Sequence, residues 1–506
     1  MSLTASRQTL LTRLHGVVTR CADRVAVREH VHEFSYSAFG SMIAGLHRAL
    51  GQTAHNSREP IGLLLDRSAL AYAAMWASIS HGRAYVPLNT NYPPSRLSNI
   101  IAQAGVGTVI CAPETLGLAE ALGIEAARLL VARPAEYSSD APTDNWWRQA
   151  GAGGDIAYVL FTSGSTGEPK GVPISYDNLL AFIHNMDAGI PYTQEDVCSQ
   201  VCELSFDFSV EEIYLALLNG CTLCPARRVD LFNPAHFIFS RSITVWIAVP
   251  SLARVILNNG VPINNSLQTL RLSIYNGEAL TAGVAAAWRD AAPNSQLWNT
   301  YGPTECTVAV TTQLWSGEPE LTEADVVTIG TPFADCQTAL LVESAIVPTS
   351  TAPDECAGEL LVAGPQRFAG YTDKMLPSLF VTDADGTTFY RTGDRVLWRR
   401  GRLYHLGRID QQVKIGGHRI ELLEIEHRLR RHLATESLAV IAYPAQHPTE
   451  LVLFIEGRAP SALDPDTLGL PNYMLPKRIV VLGALPMNPH NKLDRPALQA
   501  LAEPKF

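Results

Sequence analysis

The chain has 506 residues, of which 47% are hydrophobic and 17% are charged, a composition typical of a globular protein with large cores. Its 39 basic and 49 acidic residues give a formal net charge of −10. This charge argues against a nucleic-acid partner, because proteins that bind nucleic acids usually carry a basic surface stripe. No apolar run approaches the roughly 20 residues that span a bilayer, and the N-terminus lacks the apolar core of a secretory signal. We therefore expect a cytoplasmic protein with no membrane segment.

Short apolar runs alternate with helix-like stretches in the first half of the chain. Residues 60–66 and 107–113 predict buried strands, and residues 69–82 predict a helix between them. Such alternation predicts an α/β fold, with a large N-terminal domain of two mostly parallel sheets and flanking helices. The polar stretch 135–147 is interpreted as a surface linker.

A loop rich in hydroxyls and glycines follows the strand-like segment 156–161. It reads TSGSTGEPKG over residues 162–171 and fails the Walker pattern, because a proline precedes Lys170 and a glycine follows it. Its glycines let backbone N–H groups approach an anion, and its hydroxyls and lysine can contact phosphate. Composition alone leaves two alternatives open, a phosphate-binding loop and a flexible Ser/Gly surface loop.

The pattern changes beyond about residue 330, where short strand-like runs alternate with Gly-rich turns and predict a β-rich subdomain. Residues 421–433 then carry Leu422, Ile425 and Leu429 at helical spacing, and further strand-like runs follow. This end of the chain predicts a small α+β domain. The expected division is an N-terminal domain over residues 1–408 and a C-terminal domain over residues 409–506.

Further motifs follow the loop in a fixed order. They are NTYGPTE (299–305), YRTGD (390–394), GRIDQQVKIGGHRIELLEIE (407–426) and NKLDR (491–495). With the loop, and with shorter matches at 81–89, 206–209, 358–364 and 470–476, they make the chain resemble the adenylate-forming enzymes. The resemblance is greatest to the amino-acid adenylation domains of nonribosomal peptide synthetases, and it extends over nearly the whole chain.

The resemblance implies a ligase that uses ATP and Mg²⁺ in two half-reactions. An α-amino acid would be activated as the aminoacyl-AMP with release of pyrophosphate, and the aminoacyl group would pass to the phosphopantetheine thiol of a carrier protein. No carrier-type segment follows NKLDR and no HHxxxDG motif precedes the domain. We therefore expect a carrier protein in trans, and a chain that is free-standing or excised from a larger synthetase.

The same resemblance assigns ATP binding to Thr162, Ser163, Gly164, Ser165, Thr166, Gly167, Asn299, Tyr301, Thr304, Asp394 and Arg408. In this assignment Asn299 and Tyr301 meet the adenine. Asp394 accepts the ribose hydroxyls, a task that suits a carboxylate, and Arg408 assists beside it. Glu305 is expected to hold Mg²⁺, a hard cation that prefers oxygen ligands.

Two lysines are expected to carry the chemistry. Lys492 in the C-terminal domain would bind the reacting carboxylate and the α-phosphate oxygens as negative charge develops, and Lys170 would clamp the β- and γ-phosphates. Asp410 matches the hinge about which the C-terminal domain rotates between the half-reactions. After that rotation the VKIGGH segment (413–418) would line the thiol tunnel.

The chain departs from the family pattern near these residues. His490 and Asn491 precede Lys492 where the family commonly has Asn-Gly, Gly416 stands where arginine is common, and Leu423 stands where glycine is common. The first departure bears on the stiffness of the lysine loop, and the others bear on how the C-terminal domain meets a carrier protein.

The resemblance also assigns the acid pocket to Asp207, Phe208, Glu211, Ile247, Ile274, Asn276, Thr300, Val308 and Ala309. Asp207 would pair with the α-amino group of the substrate. Glu211 is the charged exception in an apolar lining, and a buried carboxylate is costly unless it is paired. Three partners stay open: a basic side chain on the substrate, a hydrogen bond from Asn276 or Thr300, and solvent.

Two other functions compete with this interpretation, an acyl- or aryl-CoA ligase of the same superfamily and a non-catalytic nucleotide-binding relative. Asp207 and the NTYGPTE motif favour an amino-acid substrate over the first. The presence of Lys492, Asp394 and Glu305 argues against the second.

Overall fold

The computed structural model describes residues 3–52, 58–137, 145–148, 154–164, 168–258, 267–317, 326–374, 379–410, 412–460, 462–487 and 493–503. The chain opens with α1 (Leu3–Arg20), β1 (Val25–Arg28), β2 (Glu33–Ser35) and α2 (Tyr36–Gln52). None of the helices within these ranges combines the length and the apolar character needed to cross a bilayer.

A six-stranded sheet follows, in the order β6-β5-β3-β4-β7-β8. Its elements are β3 (Ile61–Leu64), α3 (Ala69–Ser80), β4 (Tyr85–Pro87), α4 (Pro94–Ala104), β5 (Thr108–Cys111), α5 (Leu116–Ala121), β6 (Leu129–Val131), α6 (Pro134–Tyr137), β7 (Ile156–Thr162) and β8 (Lys170–Ser175). All pairs are parallel except the edge pair β7 and β8. Every residue of β3 and β5 is buried, as expected of parallel strands covered on both faces.

A nine-stranded sheet in the order β15-β14-β13-β12-β11-β9-β10-β1-β2 packs beside the first. Its further elements are α7 (Tyr176–Gly189), β9 (Val197–Gln200), α8 (Phe208–Leu218), β10 (Thr222–Pro225), α9 (Pro234–Arg241), β11 (Val245–Ala248), α10 (Pro250–Asn258), β12 (Leu272–Tyr275), α11 (Ala282–Ala291), β13 (Gln296–Tyr301), β14 (Thr311–Leu314) and β15 (Thr331–Pro332). The central strands are parallel, and antiparallel pairs close both edges.

Helix α3 shows why a nearly apolar segment forms a helix between two strands. Ser68 caps its N-terminus by accepting a hydrogen bond from the backbone N–H of Ala71 at 3.2 Å, which satisfies one of the free donors of the first turn. All of its residues are buried, as in a helix packed between layers. The predicted strands at 60–66 and 107–113 and the predicted helix at 69–82 are confirmed by β3, β5 and α3.

An antiparallel sheet of six strands forms the β-rich subdomain that the sequence predicts after residue 330. Its strands are β16 (Gln337–Val342), β17 (Ala345–Pro348), β18 (Cys356–Ala363), β19 (Phe380–Thr382), β20 (Thr388–Arg399) and β21 (Arg402–Arg408). The long strands β18 and β20 pair along most of their length.

The C-terminal part contains a two-stranded hairpin and a three-stranded sheet. Its elements are β22 (Gln412–Ile415), β23 (His418–Glu421), α12 (Leu422–Leu433), β24 (Leu438–Tyr443), β25 (Glu450–Glu456), α13 (Pro465–Leu468), β26 (Arg478–Leu482) and α14 (Arg495–Leu501). Leu422, Ile425 and Leu429 are buried in one core cluster on one face of the three-stranded sheet, as their spacing predicts. The predicted fold class is confirmed, and the division between residues 408 and 409 stays a prediction.

Candidate active site

A cavity of about 850 Å³ lies where the carboxyl ends of the parallel strands meet the C-terminal part. The strands β9, β11, β12 and β13 run parallel, so their carboxyl ends reach the same edge of the sheet, where ligands of open α/β sheets bind. The residues just after these ends line the cavity, at 201–203, 249, 276–277 and 302–304. The fold therefore collects four separate loops around one space.

The predicted phosphate loop borders this cavity through Thr162 and Ser163. A Cβ atom at position 164 would lie 2.0 Å from the carbonyl oxygen of Glu168, so the loop can close only over a glycine. Lys170 begins β8, with its Nζ 5.8 Å from the centroid of the Tyr371 ring. Ser165, Thr166 and Gly167 were predicted to bind ATP and lie outside the described residues.

Asp394 is the centre of a hydrogen-bonded group on the cavity wall. Its carboxylate accepts hydrogen bonds from Tyr301 Oη at 2.6 Å, His405 Nε2 at 3.0 Å and Arg408 Nη1 at 3.1 Å. Burial raises the pKa of Asp394, but the positive charge of Arg408 and the hydrogen bond from His405 outweigh it and lower the pKa well below its ordinary value. Asp394 is therefore held as an anion, ready to accept further hydrogen bonds.

Arg408 connects the Asp394 group to the predicted hinge. Its Nε and Nη2 atoms donate to the two carboxylate oxygens of Asp410 at 2.7 and 2.6 Å, a bidentate geometry. The Arg408 guanidinium thus joins Asp394, the predicted ribose-binding residue, to Asp410, the predicted hinge residue.

Glu305 is buried, and Arg419 of the hairpin neutralises its charge. The Nη1 atom of Arg419 lies 2.8 and 3.1 Å from the two carboxylate oxygens, and Tyr371 Oη donates to one of them at 2.8 Å. Burial raises the pKa of Glu305, but the charge of Arg419 lowers it below its ordinary value. The carboxylate is therefore anionic, and its counter-charge comes from the C-terminal part.

Only part of the predicted acid pocket borders the cavity. Asp207, Phe208, Asn276 and Val308 line it. The cavity lining does not include the other predicted members, all of which are buried: Glu211, Ile247, Ile274, Thr300 and Ala309. The assignment of these five residues to the acid pocket stays a prediction.

Glu211 has none of the contacts predicted for it among the described residues. It is 0% exposed, and neither carboxylate oxygen has a hydrogen-bond partner. The Asn276 amide donates to Val308 O at 3.3 Å and the Thr300 hydroxyl donates to Tyr275 O at 3.4 Å, so neither side chain pairs with Glu211 in this arrangement. Burial, followed by the charges of Glu212 and Asp207, raises the pKa of Glu211 well above its ordinary value.

The adjacent Glu212 is the paired carboxyl. It accepts hydrogen bonds from the backbone N–H of Val201 at 2.7 Å and from Gln200 Nε2 at 2.8 Å. Burial raises its pKa to about 8 against these hydrogen bonds. Glu212 therefore fixes the loop after β9, which lines the cavity.

Asn299 and Tyr301 are placed differently from the predicted adenine contacts. Asn299 is buried and its amide donates to the carbonyl oxygen of Thr328 at 2.9 Å, while the Tyr301 hydroxyl is engaged by Asp394. Neither belongs to the cavity lining in this arrangement, so their contact with adenine stays a prediction. Thr304, by contrast, lines the cavity.

The hairpin of β22 and β23 covers the cavity, with residues 414–419 in its wall. The Gly417 N–H donates to Glu278 Oε1 at 2.9 Å, and the His418 ring stacks on Tyr473 at 3.9 Å between centroids. Burial lowers the pKa of His418 to about 4, so this ring is neutral at physiological pH. The predicted VKIGGH segment is thus at the cavity.

Helix α12 contacts the predicted phosphate loop directly, a contact that sequence reasoning missed. Glu424 accepts hydrogen bonds from the Gly164 N–H at 3.2 Å and from Arg96 Nη1 at 2.8 Å, and Glu424 and Arg96 are both buried. The Ser163 hydroxyl donates to the carbonyl oxygen of Arg419 at 2.9 Å. The available signal was the EIE motif at 424–426, whose charges stand in an otherwise apolar helix face.

Lys492, the predicted catalytic lysine, lies outside the described residues. Leu493 packs in the core cluster between the three-stranded sheet and α14. The residues that border the cavity, at 448–451, 473 and 475, lie on the opposite face of that sheet. Leu451 belongs to the core cluster on that face, and Tyr473 packs against it.

Comparisons with known proteins agree with the motifs and the fold. The AMP-binding enzyme family matches residues 14–372. Tyrocidine synthase 3 of Brevibacillus parabrevis is 32% identical over 97% of this chain, which spans 8% of that protein. A D-alanine--D-alanyl carrier protein ligase of Lactiplantibacillus plantarum is 32% identical over 87% of this chain and 88% of its own length.

A solved structure gives the same result. The crystal structure of the Vibrio cholerae adenylation domain AlmE in complex with glycyl-adenosine-5'-phosphate superposes with a TM-score of 0.86 at 27% identity, over 97% of both chains. The predicted resemblance to adenylate-forming enzymes is confirmed.

Proposed function

Because the chain belongs to the AMP-binding enzyme family, we propose that it activates an α-amino acid with ATP and loads it onto a carrier protein. A carboxylate oxygen of the amino acid attacks the α-phosphorus of ATP, the bond to the bridging oxygen breaks, and pyrophosphate leaves. The sulfur of a phosphopantetheine thiol then attacks the acyl carbon, the acyl–phosphate bond breaks, AMP leaves, and the thiol proton passes to solvent.

The observation that carries this proposal is the meeting of two carboxylates in one cavity. Asp394 is held anionic at one wall and suits the ribose hydroxyls, while Asp207 lines another part of the cavity and suits an α-amino group. The α-phosphate and the acyl group of an adenylate would lie between them, near Thr304. Alignment of the reacting groups by fixed anchors is a main source of rate in such transfers.

The residues present fit Mg²⁺ at Glu305. Its carboxylate is anionic, and hard cations bind carboxylate oxygens. Arg419 supplies the counter-charge here, so a metal would take its place when the hairpin withdraws. Bound Mg²⁺ would neutralise charge on the phosphates.

A carrier protein in trans is the proposed acceptor. The Lactiplantibacillus relative, which is named as a carrier protein ligase, matches this chain over 88% of its own length. The hairpin residues in the cavity wall support an arrangement suited to the second half-reaction. The cytoplasmic location predicted above belongs to the same proposal.

We propose a small, uncharged side chain for the amino acid. Phe208, Asn276 and Val308 line the cavity wall, whereas Glu211 is fully buried and is not part of the lining. A basic side chain, the alternative considered from the sequence, would have to displace the wall to reach Glu211. The glycyl adenylate bound by AlmE is in keeping with a small side chain.

Amino-acid-dependent exchange of labelled pyrophosphate into ATP tests this function. We expect exchange with glycine or alanine to exceed that with leucine, lysine or ornithine by at least tenfold, the scale on which a pocket discriminates by size. Preference for lysine or ornithine that is lost in Glu211→Ala would contradict the small-substrate proposal. Thioester formation with free coenzyme A but with no carrier protein would instead favour the acyl-CoA ligase alternative.

A further inference from the structure

We infer that Gln366 is a positioning residue that sets the depth of the acid pocket, because its side chain holds the turn that carries Val308. The inference rests on the proposed function, since it concerns how the pocket selects its amino acid. Gln366 follows β18 and is not part of the cavity lining, so it acts on the substrate only through this turn.

The turn between residues 306 and 309 has an unfavourable backbone. Thr307 and Val308 have φ angles of 58° and 68°, in the left-handed region that β-branched residues rarely adopt. Two such residues in succession persist only when their surroundings hold them there. The turn therefore requires an external support.

Gln366 supplies that support from a position that is 1% exposed. Its Nε2 atom lies 2.6 Å from the carbonyl oxygen of Ala309, 3.2 Å from that of Thr307 and 3.3 Å from that of Cys306. The two amide hydrogens thus serve three carbonyl groups of the same turn. In the other direction, the Thr307 hydroxyl donates to the backbone carbonyl of Gln366 at 2.8 Å.

The other end of the amide is anchored in the protein core. Asn185 of α7 donates from Nδ2 to Gln366 Oε1 at 2.8 Å, which fixes which end of the amide faces the turn. Because both ends are engaged in a buried site, rotation of the amide would break several hydrogen bonds at once.

The turn is coupled to the cavity through Val308. Val308 is one of the residues that line the cavity, and its backbone carbonyl oxygen accepts the hydrogen bond from Asn276, another wall residue. Gly302 approaches the turn so closely that a Cβ atom there would lie 2.8 Å from Val308 O. A shift of the turn must therefore move the wall against which the substrate side chain packs.

The test replaces Gln366 by methionine, which keeps the side-chain length and removes the donor. We expect the preference for glycine or alanine over leucine, measured as the ratio of kcat/KM values in pyrophosphate exchange, to fall about tenfold. The change should come from the KM values of the amino acids, and the KM for ATP should stay within twofold. Gln366→Glu, which keeps the oxygen that accepts from Asn185 and replaces the donor, should change the ratio in the same direction.

The matched control is Gln499→Met. Gln499 in α14 also donates from its amide to a buried carbonyl, Ala442 O at 2.8 Å, but lies far from the turn in the chain and outside the cavity lining. Its replacement should leave the selectivity ratio unchanged. Adding Thr307→Gly to Gln366→Met should restore part of the ratio, because glycine adopts the left-handed region without strain.

Hydrogen exchange of the peptide spanning residues 304–311 provides a readout that does not need activity. The amides of Ala309 and Val310 should exchange at least tenfold faster in Gln366→Met than in the wild type. If no amino acid supports exchange of pyrophosphate in the wild type, the proposed function fails while this measurement still tests the support of the turn. Unchanged hydrogen exchange, or an equal loss of kcat/KM for all amino acids, would overturn the inference.

Discussion

The neighbouring carboxyls Glu211 and Glu212 show how one residue step changes the chemistry of a side chain. Successive residues of an α-helix point about 100° apart, so the two carboxyls of α8 enter different surroundings. Glu212 meets backbone N–H groups after β9, whereas Glu211 meets no hydrogen-bond donor among the described residues. Glu211 is therefore a buried carboxyl, and burial raises its pKa well above the ordinary value.

We predict that Glu211→Gln becomes more stable relative to the wild type as the pH rises. The pKa of Glu211 is raised in the folded state above its ordinary value of 4.5, so the folded protein binds a proton that the unfolded chain releases. The contribution of Glu211 to the free energy of unfolding of the wild type is thus fully present below pH 4.5. It decreases as the pH rises above this value, by up to about 1.4 kcal/mol per pH unit. Urea unfolding of both proteins at pH 5, 6, 7 and 8 measures this difference.

Glu212→Gln is the control for this experiment. It should be less stable than the wild type already at pH 5, because an amide nitrogen in place of Oε2 cannot accept the hydrogen bond from Gln200 Nε2. The pKa of Glu212 is itself raised to about 8, so this variant controls for the loss of buried hydrogen bonds and not for the pH dependence. A difference between Glu211→Gln and the wild type that does not change with pH would show that Glu211 is ionised in the folded protein.

Among the elements, helix α12 and the hairpin before it determine how the C-terminal part sits on the phosphate loop. The Arg96–Glu424 pair is buried at 2.8 Å, while the Arg428–Glu168 pair between the same regions is partly exposed at 3.0 Å. Buried pairs lose much more than exposed ones when a partner is removed. We therefore expect the buried Arg96–Glu424 pair to contribute more to this contact than the Arg428–Glu168 pair.

We predict that Glu424→Gln slows the second half-reaction selectively. The substitution leaves Arg96 buried without a full counter-charge and weakens the contact with the Gly164 N–H. Aminoacyl transfer to a carrier protein should fall at least tenfold, while pyrophosphate exchange stays within about threefold, since that step does not need this docked arrangement. Separate assays of the two steps measure this.

Glu168→Gln provides the matched comparison at the exposed pair. It should change both steps by less than about threefold. Equal effects of the two substitutions would indicate that the buried pair has no special part in docking.

The elements themselves were predictable and their contacts were not. Apolar runs identified β3, β5 and α3, because a buried parallel strand must be apolar along its whole length. The contact between Gly164 and Glu424 joins residues 260 positions apart, and the support of the 306–309 turn by Gln366 depends on side-chain geometry. Neither leaves a periodic pattern in the sequence.

At the scale of the whole molecule, the predicted chemistry is divided between two lysines in distant parts of the chain. Lys170 belongs to β8, and the segment that begins at Leu493 packs on the side of the three-stranded sheet away from the cavity. The arrangement described here thus brings the hairpin, rather than that segment, to the cavity wall.

We predict that Lys492→Ala abolishes adenylate formation, whereas Lys170→Ala weakens it by about tenfold. Lys492 would stabilise charge at the reacting α-phosphate, and Lys170 would assist the leaving pyrophosphate. Single-turnover formation of the aminoacyl adenylate measures both effects. With chemically supplied aminoacyl adenylate, Lys492→Ala should still load the carrier protein; mild and equal effects of both substitutions would contradict this division.

The ion pair between Arg419 and Glu305 and the hydrogen bond between Glu424 and Gly164 have a kinetic consequence. In the proposed function the Glu305 carboxylate would hold the metal and the Gly164 N–H would meet the phosphates, so the C-terminal part and the magnesium complex of pyrophosphate compete for the same atoms. Only one of the two can occupy these atoms at a time. The order of the two half-reactions then follows from mutual exclusion, and free pyrophosphate should act as a competitive inhibitor of domain docking as well as a product of the first step.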